Sequence, residues 1–174
     1  MITNRYDMDS GHFKFESIYF DSPFVPGRII DIFVPSKCQR EIALFFIHGG
    51  GWNAGSRVIF HKIIEYYTGR GYICASSDYR LDRTIDGQLE DLRCGYDIFV
   101  RRLGELERPA KIVVAGSSAG AHLGGLLSLA SPGECGDRHC GQWVPPVGLI
   151  VSAFAPTFVP WPNIIPPIAA AMER

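Results

Sequence analysis

The residues best suited to chemistry lie at positions 116–120, which read Gly-Ser-Ser-Ala-Gly. An apolar run at 111–115 precedes them, and a helix-like segment at 121–130 follows. In a strand, turn and helix of this kind, the central serine adopts a strained backbone conformation, and only glycines two residues to either side leave it room. The pattern therefore predicts that Ser118 is a nucleophile held between a strand and a helix. The flanks disfavour the alternative, a Gly/Ser turn without chemistry.

A second glycine-rich motif, His-Gly-Gly-Gly-Trp at positions 48–52, follows the apolar run 42–47. Because glycine lacks a Cβ, a substrate carbonyl can approach the backbone amides of such a loop closely. We expect the amides of Gly50 and Gly51 to converge with that of Ala119, which starts the helix after the serine. The motif thus predicts an oxyanion hole, and its place after a buried strand disfavours the alternative of a flexible loop.

Together the two motifs resemble those of the α/β-hydrolase superfamily, and within it those of the hormone-sensitive-lipase-like carboxylesterases and relatives such as formamidase-like enzymes. The segment Asp78-Tyr79-Arg80-Leu81 is similar to the same group, and the resemblance covers most of the chain. It implies serine-dependent hydrolysis of a small carboxylic ester, or of a related acyl bond such as a formamide, through Ser118. It implies no cofactor and no metal.

The resemblance also implies supporting roles around the oxyanion loop. His48 and Gly49 would shape the loop, and His48 would not be the general base. Trp52 is either a pocket wall or a packing residue under the loop, and the sequence leaves both open. Arg80 and Asp91 resemble a structural ion pair, which positions elements more than it stabilises them.

No histidine occupies a position expected of a base for Ser118. His122 lies one helical turn beyond the serine, and its imidazole would have to fold back to reach the hydroxyl, so we expect packing. His61 falls on a predicted helix, His139 in a loop and His12 in the first strand. The sequence therefore predicts no catalytic histidine in this chain.

The catalytic acid is also missing from its expected place. In this fold the triad follows the order serine, acid, histidine, each after a successive strand. The acids after Ser118 are Glu134, Asp137 and Glu173, and none follows a strand in the required way. We expect the amino-terminal two-thirds of a hydrolase with impaired activity, as a truncated product, a fragment or a degenerate relative. The alternative is a non-catalytic fragment or a pseudo-enzyme that binds a small apolar ligand.

Strands alternate with helices, which predicts an α/β fold, here an incomplete α/β-hydrolase fold with a mostly parallel central sheet and helices on both faces. We expect a single domain over 1–174, opened by hairpin strands within 1–35 and closed by a proline-rich, cap-like tail at 155–174. Strand 147–154 would form an exposed apolar edge and permit self-association. About six strands are predicted at 12–20, 28–34, 42–47, 72–77, 111–115 and 147–154, with helices at 58–68, 86–107 and 121–130.

The composition is that of a globular protein, with 47% apolar residues, 20% charged residues and a net charge of −1. This balance predicts no nucleic-acid partner, and no apolar run is long enough for a membrane span. The polar amino terminus lacks the apolar core of a secretory signal, which predicts a cytoplasmic protein with reduced thiols. Cys135 and Cys140 flank His139. Three interpretations are open for them: a metal-binding loop, a loop disulfide or thiols without a role. The lack of four-ligand spacing favours the last.

Overall fold

The computed structural model describes residues 5–9, 11, 13–20, 25–108, 111–138 and 143–152. Within these residues, seven strands and three α-helices form one sheet with helices on both faces. A 3-10 turn, Arg57–Phe60, precedes the first helix. The strands are β1 Arg5–Asp9, β2 Phe13–Tyr19, β3 Ile29–Pro35, β4 Ile42–Ile47, β5 Cys74–Ser77, β6 Lys111–Gly116 and β7 Gly148–Val151, and the helices are α1 His61–Thr68, α2 Ile85–Glu105 and α3 Ala119–Leu129.

The sheet has the strand order β1-β2-β3-β5-β4-β6-β7. Strands β5, β4, β6 and β7 lie side by side in that order and are parallel to one another. On the other side of β5, each neighbouring pair is antiparallel: β5 with β3, β3 with β2, and β2 with β1. Five of the seven strands therefore run in one direction, which confirms the predicted α/β class and mostly parallel sheet. The predicted opening hairpin is the β2–β3 pair. The sheet has one strand more than predicted, because β1 adds a five-residue edge in which three positions are charged and only Tyr6 and Met8 are apolar.

Strand β4 shows how an apolar sequence positions the layers. Ala43, Phe45 and Ile47 face the core shared with α2 and α3, whereas Leu44 and Phe46 face the smaller core under α1. Successive side chains of a strand point to opposite faces, so a strand covered on both sides must be apolar at every position. The unbroken apolar run at 42–47 is therefore what a central strand requires when helices cover both faces of the sheet.

Helix α2 covers the face of the sheet opposite α1. It does so with an apolar stripe, in which Leu89, Leu92, Tyr96, Phe99 and Leu103 are all fully buried. Their spacing of three or four residues along the helix produces one continuous buried face. The predicted start and end of this helix differ from the observed ones by one or two residues.

Two predicted boundaries near the site differ from the observed ones. The first predicted helix, 58–68, is divided into the 3-10 turn and α1. Helix α3 begins at Ala119, two residues earlier than predicted and directly after Ser118. Strand β7 is the last in the sheet, and its Ile150 and Val151 are half exposed, as expected of an apolar edge. The cap-like tail, 155–174, lies outside the described residues.

Candidate active site

The turn between β6 and α3 has the tight geometry that the sequence predicts. Ser118 has a φ of 52°, a left-handed conformation that non-glycine residues rarely adopt. A Cβ on Gly116 would lie 2.4 Å from the carbonyl oxygen of Gly120, so an alanine there cannot fit. A Cβ on Gly120 would lie 2.2 Å from the carbonyl oxygen of Ile47, at the end of β4. Both glycines therefore permit close backbone packing that leaves Ser118 at the tip of the turn.

The glycine-rich loop, residues 48–56, lies directly against this turn. A Cβ on Gly49 would be 2.5 Å from the carbonyl oxygen of Ser117 and 3.2 Å from the Cβ of Ser118. The loop follows β4 and the turn follows β6. These two strands are parallel neighbours and end at the same edge of the sheet, with Ile47 opposite Gly116, so the loop and the turn meet there. The structure thus brings together the two motifs that are far apart in the sequence.

The loop turns sharply after Gly49. The carbonyl oxygen of Gly50 accepts hydrogen bonds from the amides of Asn53 and Ala54, at 3.3 and 3.0 Å. Gly50 and Gly51 both have positive φ angles, of 121° and 59°. A side chain at Gly50 would also meet the Ala54 carbonyl at 2.1 Å. The turn therefore requires glycine. It leaves Gly50 and Gly51 next to Gly49, which lies against the turn at 116–120, hereafter called the elbow.

The predicted third donor is the amide of Ala119, the first residue of α3. The first amides of a helix have no intrahelical acceptor, and the helix dipole places partial positive charge there. The next amides, of Gly120 and Ala121, bond back to the carbonyls of Ser117 and Ser118. An oxygen anion held near Ser118 would therefore face the positive end of α3.

His48 is a buried support of the loop. Its side chain is 1% exposed, and Nδ1 lies 2.8 Å from the carbonyl oxygen of Gly49. A carbonyl only accepts, so Nδ1 carries the proton. Burial lowers the pKa of His48, against the opposing influence of the Gly49 carbonyl and Asp78. The ring is therefore neutral near neutral pH and lies inside the protein, beneath the loop.

Trp52 packs under the loop and does not line an open pocket. Its side chain is buried in the main core, and its carbonyl accepts a hydrogen bond of 2.7 Å from Nε2 of Gln88. The indole meets the edge of the His122 ring at a centroid distance of 5.7 Å. Burial lowers the pKa of His122, which favours the neutral form of the imidazole. Of the two readings that the sequence left open for Trp52, the geometry favours packing.

No histidine ring is hydrogen-bonded to the Ser118 hydroxyl within the described part of the chain. His61 is committed elsewhere, because its Nε2 lies 2.8 Å from Oδ2 of Asp31. His12 and His139 lie outside the described residues. Beside Ser118 the described residues thus show the glycine-rich loop and the start of α3, without a hydrogen-bonded histidine.

The acids that follow Ser118 have structural partners where they are described. Asp137 is fully buried, and its Oδ2 lies 2.6 Å from Nε of Arg93. A carboxylate oxygen of Glu134 accepts a 2.8 Å hydrogen bond from the amide of Ser131. Glu173 lies outside the described residues. Neither described acid is arranged as a partner for a histidine.

Arg80 and Asp91 form the ion pair that the resemblance implies. Nη2 and Nε of Arg80 reach the Asp91 carboxylate at 2.7 and 2.8 Å, and the Arg80 amide binds it at 2.9 Å. Arg28 forms a second ion pair with Asp91, at 3.0 Å, which the sequence did not predict. Asp91 is fully buried, so these contacts tie the end of β5 to the first half of α2.

A further group of charged residues lies behind the loop and was also missed. The Arg57 guanidinium forms two ion pairs, with Nε 2.7 Å from Oδ2 of Asp31 and Nη1 2.7 Å from Oδ2 of Asp78. One signal in the sequence could have indicated them, since Asp31 interrupts the otherwise apolar strand β3. A carboxylate at a buried strand position requires a partner.

A cleft of about 510 Å³ opens beside the far end of the loop, at Gly55 and Ser56. Its other walls include Pro26, Tyr79 and Arg80. Among the described residues, no three His, Cys, Asp or Glu side chains cluster as metal ligands. Cys135 is a free thiol, whereas Cys140 and His139 lie outside the described residues.

Several solved structures with a similar fold are esterases. Esterase B from Lactobacillus rhamnosis, in an inhibited form, matches with a TM-score of 0.65 and 22% identity, over 83% of this chain and 50% of its own. Esterase 2 from Thermogutta terrifontis matches in its butyrate-bound form with a TM-score of 0.59 and 26% identity, over 76% of this chain and 54% of its own. The same enzyme phosphorylated by paraoxon matches at 25% identity.

The fold is that of a carboxylesterase-like α/β hydrolase. The chain belongs to the BD-FAE family, whose model matches residues 30–160. It spans about half the length of the solved esterases that it matches. No curated protein matches the sequence. None of the helices that the structure describes is long and apolar enough to cross a membrane.

Proposed function

We propose that this chain carries the nucleophile and the oxyanion hole of a serine hydrolase that acts on small carboxylic esters. The observation that supports the proposal is the close approach of Gly49 to Ser117 and Ser118, since a Cβ on Gly49 would lie 2.5 Å from the Ser117 carbonyl oxygen. The family match supports an ester as the substrate class. The butyrate in the Thermogutta esterase supports a short acyl group.

The proposed reaction begins with attack of the Ser118 oxygen on the ester carbonyl carbon. The carbonyl π electrons move to oxygen, and the amides of Gly50, Gly51 and Ala119 donate hydrogen bonds to the resulting anion. Collapse of this intermediate would expel the alcohol and leave an acyl group on Ser118, which water then removes. His48, Gly49 and Trp52 would support the loop without contacting the reacting atoms.

The proton of the Ser118 hydroxyl needs an acceptor for this reaction to be fast. The described residues provide no hydrogen-bonded histidine, so we expect the chain alone to be impaired. An oxyanion hole without the full triad supplies roughly 10³–10⁴-fold over water. The second candidate function, a non-catalytic module that binds a small apolar ligand, is favoured by this same observation.

The proposal is tested with p-nitrophenyl acetate, p-nitrophenyl butyrate and a fluorophosphonate probe. Ser118→Ala is compared with Ser128→Ala, a matched serine on the same helix and away from the elbow. We expect labelling and any turnover to disappear in Ser118→Ala and to persist in Ser128→Ala. Equal behaviour of both variants and the native chain would refute the nucleophile and favour the non-catalytic module.

Self-association through strand 147–154 is a separate part of the proposal. It is supported by the position of β7 at the end of the sheet and by the exposure of Ile150 and Val151. An unpaired edge can add a strand from another copy. Sedimentation of the native chain and of Ile150→Lys tests it, because a lysine on an edge strand disfavours the addition of another strand. The single domain over 1–174 and a cytoplasmic location stay predictions from the sequence.

A further inference from the structure

Arg57 lies where the oxyanion loop ends and the 3-10 turn begins, and it is held at several points. Its amide donates a 2.6 Å hydrogen bond to Oδ1 of Asp78, and its Nη1 lies 2.7 Å from Oδ2 of the same carboxylate. Its carbonyl oxygen accepts a 2.9 Å hydrogen bond from the hydroxyl of Ser76. Both the backbone and the side chain of Arg57 are therefore fixed to the end of β5.

The other side of the guanidinium is fixed to β3. Nε of Arg57 forms an ion pair of 2.7 Å with Oδ2 of Asp31. Asp31 is fully buried and is held by the Ser17 hydroxyl at 2.6 Å and by Nε2 of His61 at 2.8 Å. Arg57 thus joins the loop to a carboxylate that is itself anchored by β2 and α1.

The charges in this cluster favour the ionised forms of the arginine and the inner carboxylate. Burial alone would lower the pKa of Arg57, but the attraction of Asp31 and Asp78 raises it. Burial alone would raise the pKa of Asp31, but His61, Arg57 and Ser17 together lower it. An ion pair of this kind gives little net stability relative to apolar packing, and its better-attested effect is to specify one arrangement.

Asp78 also approaches the beginning of the loop. Its Oδ1 lies 3.8 Å from Nε2 of His48, while the same oxygen accepts the Arg57 amide. No hydrogen bond forms there, because the neutral His48 ring has no proton on Nε2. The beginning of the loop is held by Tyr79, the residue after Asp78, whose hydroxyl donates a 3.0 Å hydrogen bond to the His48 carbonyl oxygen. Both ends of the loop are therefore fixed to the segment that follows β5. A loop closed at its base in this way has little freedom to move its central amides.

We propose that Arg57 and Asp78 form a clasp that closes the base of loop 48–56 and positions the amides of Gly50 and Gly51. Both are positioning residues, since neither touches the elbow. The role in catalysis rests on the proposed function, but the closing of the loop does not. Asp31 orients the guanidinium from behind, so the planar fork of arginine is required and a lysine is a poor substitute.

Hydrogen exchange of the full chain tests the clasp without requiring activity. The variants are Arg57→Gln and Arg57→Lys, with Arg101→Gln as a matched control at a half-exposed arginine on α2. In Arg57→Gln we expect amide exchange in loop 48–56 to rise at least about ten-fold, the loss expected from one charge-assisted hydrogen bond. Exchange in β4 and α2 should be unchanged. Arg57→Lys should give a smaller rise, and Arg101→Gln none.

The proposal is refuted if amide exchange in loop 48–56 is unchanged in Arg57→Gln. It is also refuted if amide exchange rises in β4 and α2 as well as in the loop, because that indicates a general loss of stability. Asp78→Asn keeps the side-chain shape and decides the question if Arg57→Gln does not fold. The fluorophosphonate labelling rate is measured on the same samples. A loop that opens while Ser118 shows no labelling in any variant supports the clasp and refutes the proposed function.

Discussion

The Tyr79 side chain holds both the backbone and the ring of His48. Its hydroxyl donates a 3.0 Å hydrogen bond to the His48 carbonyl oxygen, and its ring stacks on the imidazole at 4.3 Å with an interplanar angle of 10°. Tyr79 is 1% exposed, and burial raises the pKa of its phenol, so the hydroxyl keeps the proton that it donates. The strand end that contains Asp78 therefore supports the first residue of the oxyanion loop from two directions.

Replacement of Tyr79 by phenylalanine should remove the hydrogen bond and keep the stacking. The buried carbonyl of His48 then loses its donor, and we expect the free energy of unfolding to fall by about 1 kcal/mol. Urea unfolding followed by circular dichroism measures the change. Tyr66→Phe is the control, because Tyr66 is 54% exposed and should tolerate the same substitution without loss. Equal stability of Tyr79→Phe and native protein would contradict this support.

Gly49→Ala should separate the loop from the elbow. The added methyl group would lie 2.5 Å from the backbone oxygen of Ser117, which cannot move without the elbow itself. Overpacking of this kind lowers the free energy of unfolding by about 1–3 kcal/mol. Gly104→Ala is the matched control, because a Cβ there meets open space at the end of α2. That control should be stabilised by about 0.5–1 kcal/mol.

A stability of Gly49→Ala equal to that of the native chain would show that the loop does not rest on the elbow. The same two proteins also report on the site. If Ser118 reacts with the fluorophosphonate, Gly49→Ala should react more slowly, because the displaced loop carries the amides of Gly50 and Gly51. Gly104→Ala should react at the native rate.

The fold and the tight turn around Ser118 could be predicted because local sequence determines both. The run at 42–47 is apolar at every position, which only a strand buried on both faces requires, and the glycines at 116 and 120 are required by close packing within one turn. Strand β1 was not predicted, because two of its five residues are aspartate, which strands disfavour, and the alternation of Tyr6 and Met8 is too short to stand out.

The clasp behind the loop could not be predicted for a different reason. Asp31, Arg57 and Asp78 come from three separate parts of the chain, and the antiparallel pairing of β3 with β5 brings the two aspartates close to each other. A single sequence contains no record of such a long-range pairing. The side-chain roles are therefore harder to infer than the backbone motifs, although the buried position of Asp31 indicates that a partner exists.

The stability of the protein should decrease as the pH falls below about 6.5, the usual pKa of histidine. Burial lowers the pKa values of both His48 and His122 in the folded protein. The unfolded chain then binds protons that the folded protein does not, so acid favours unfolding. Urea unfolding between pH 5 and 8 should show this slope, and His122→Gln should reduce it. A slope of opposite sign would refute the neutral state of both rings.

The most destabilising single change that we expect is at Asp137. The side chains of Asp137 and Arg93 are both 0% exposed and meet at 2.6 Å, and Nη2 of the same arginine donates a 3.0 Å hydrogen bond to the carbonyl of Ala130. The guanidinium also lies over the ring of Trp143, 4.5 Å from its centroid. Asp137→Asn leaves Arg93 as an uncompensated buried charge, which should lower the free energy of unfolding by about 3–5 kcal/mol.

Asp97→Asn is the matched control, because it breaks an aspartate–arginine pair on the surface of the same helix as Arg93. Exposed pairs of this spacing contribute only about 0.3–0.5 kcal/mol. The double variant Arg93→Met/Asp137→Leu should recover most of the stability lost in Asp137→Asn, since apolar residues of similar size replace buried ion pairs well. Urea unfolding measures all three proteins. If Asp137→Asn is no less stable than Asp97→Asn, the pair does not hold the loop after α3 onto α2.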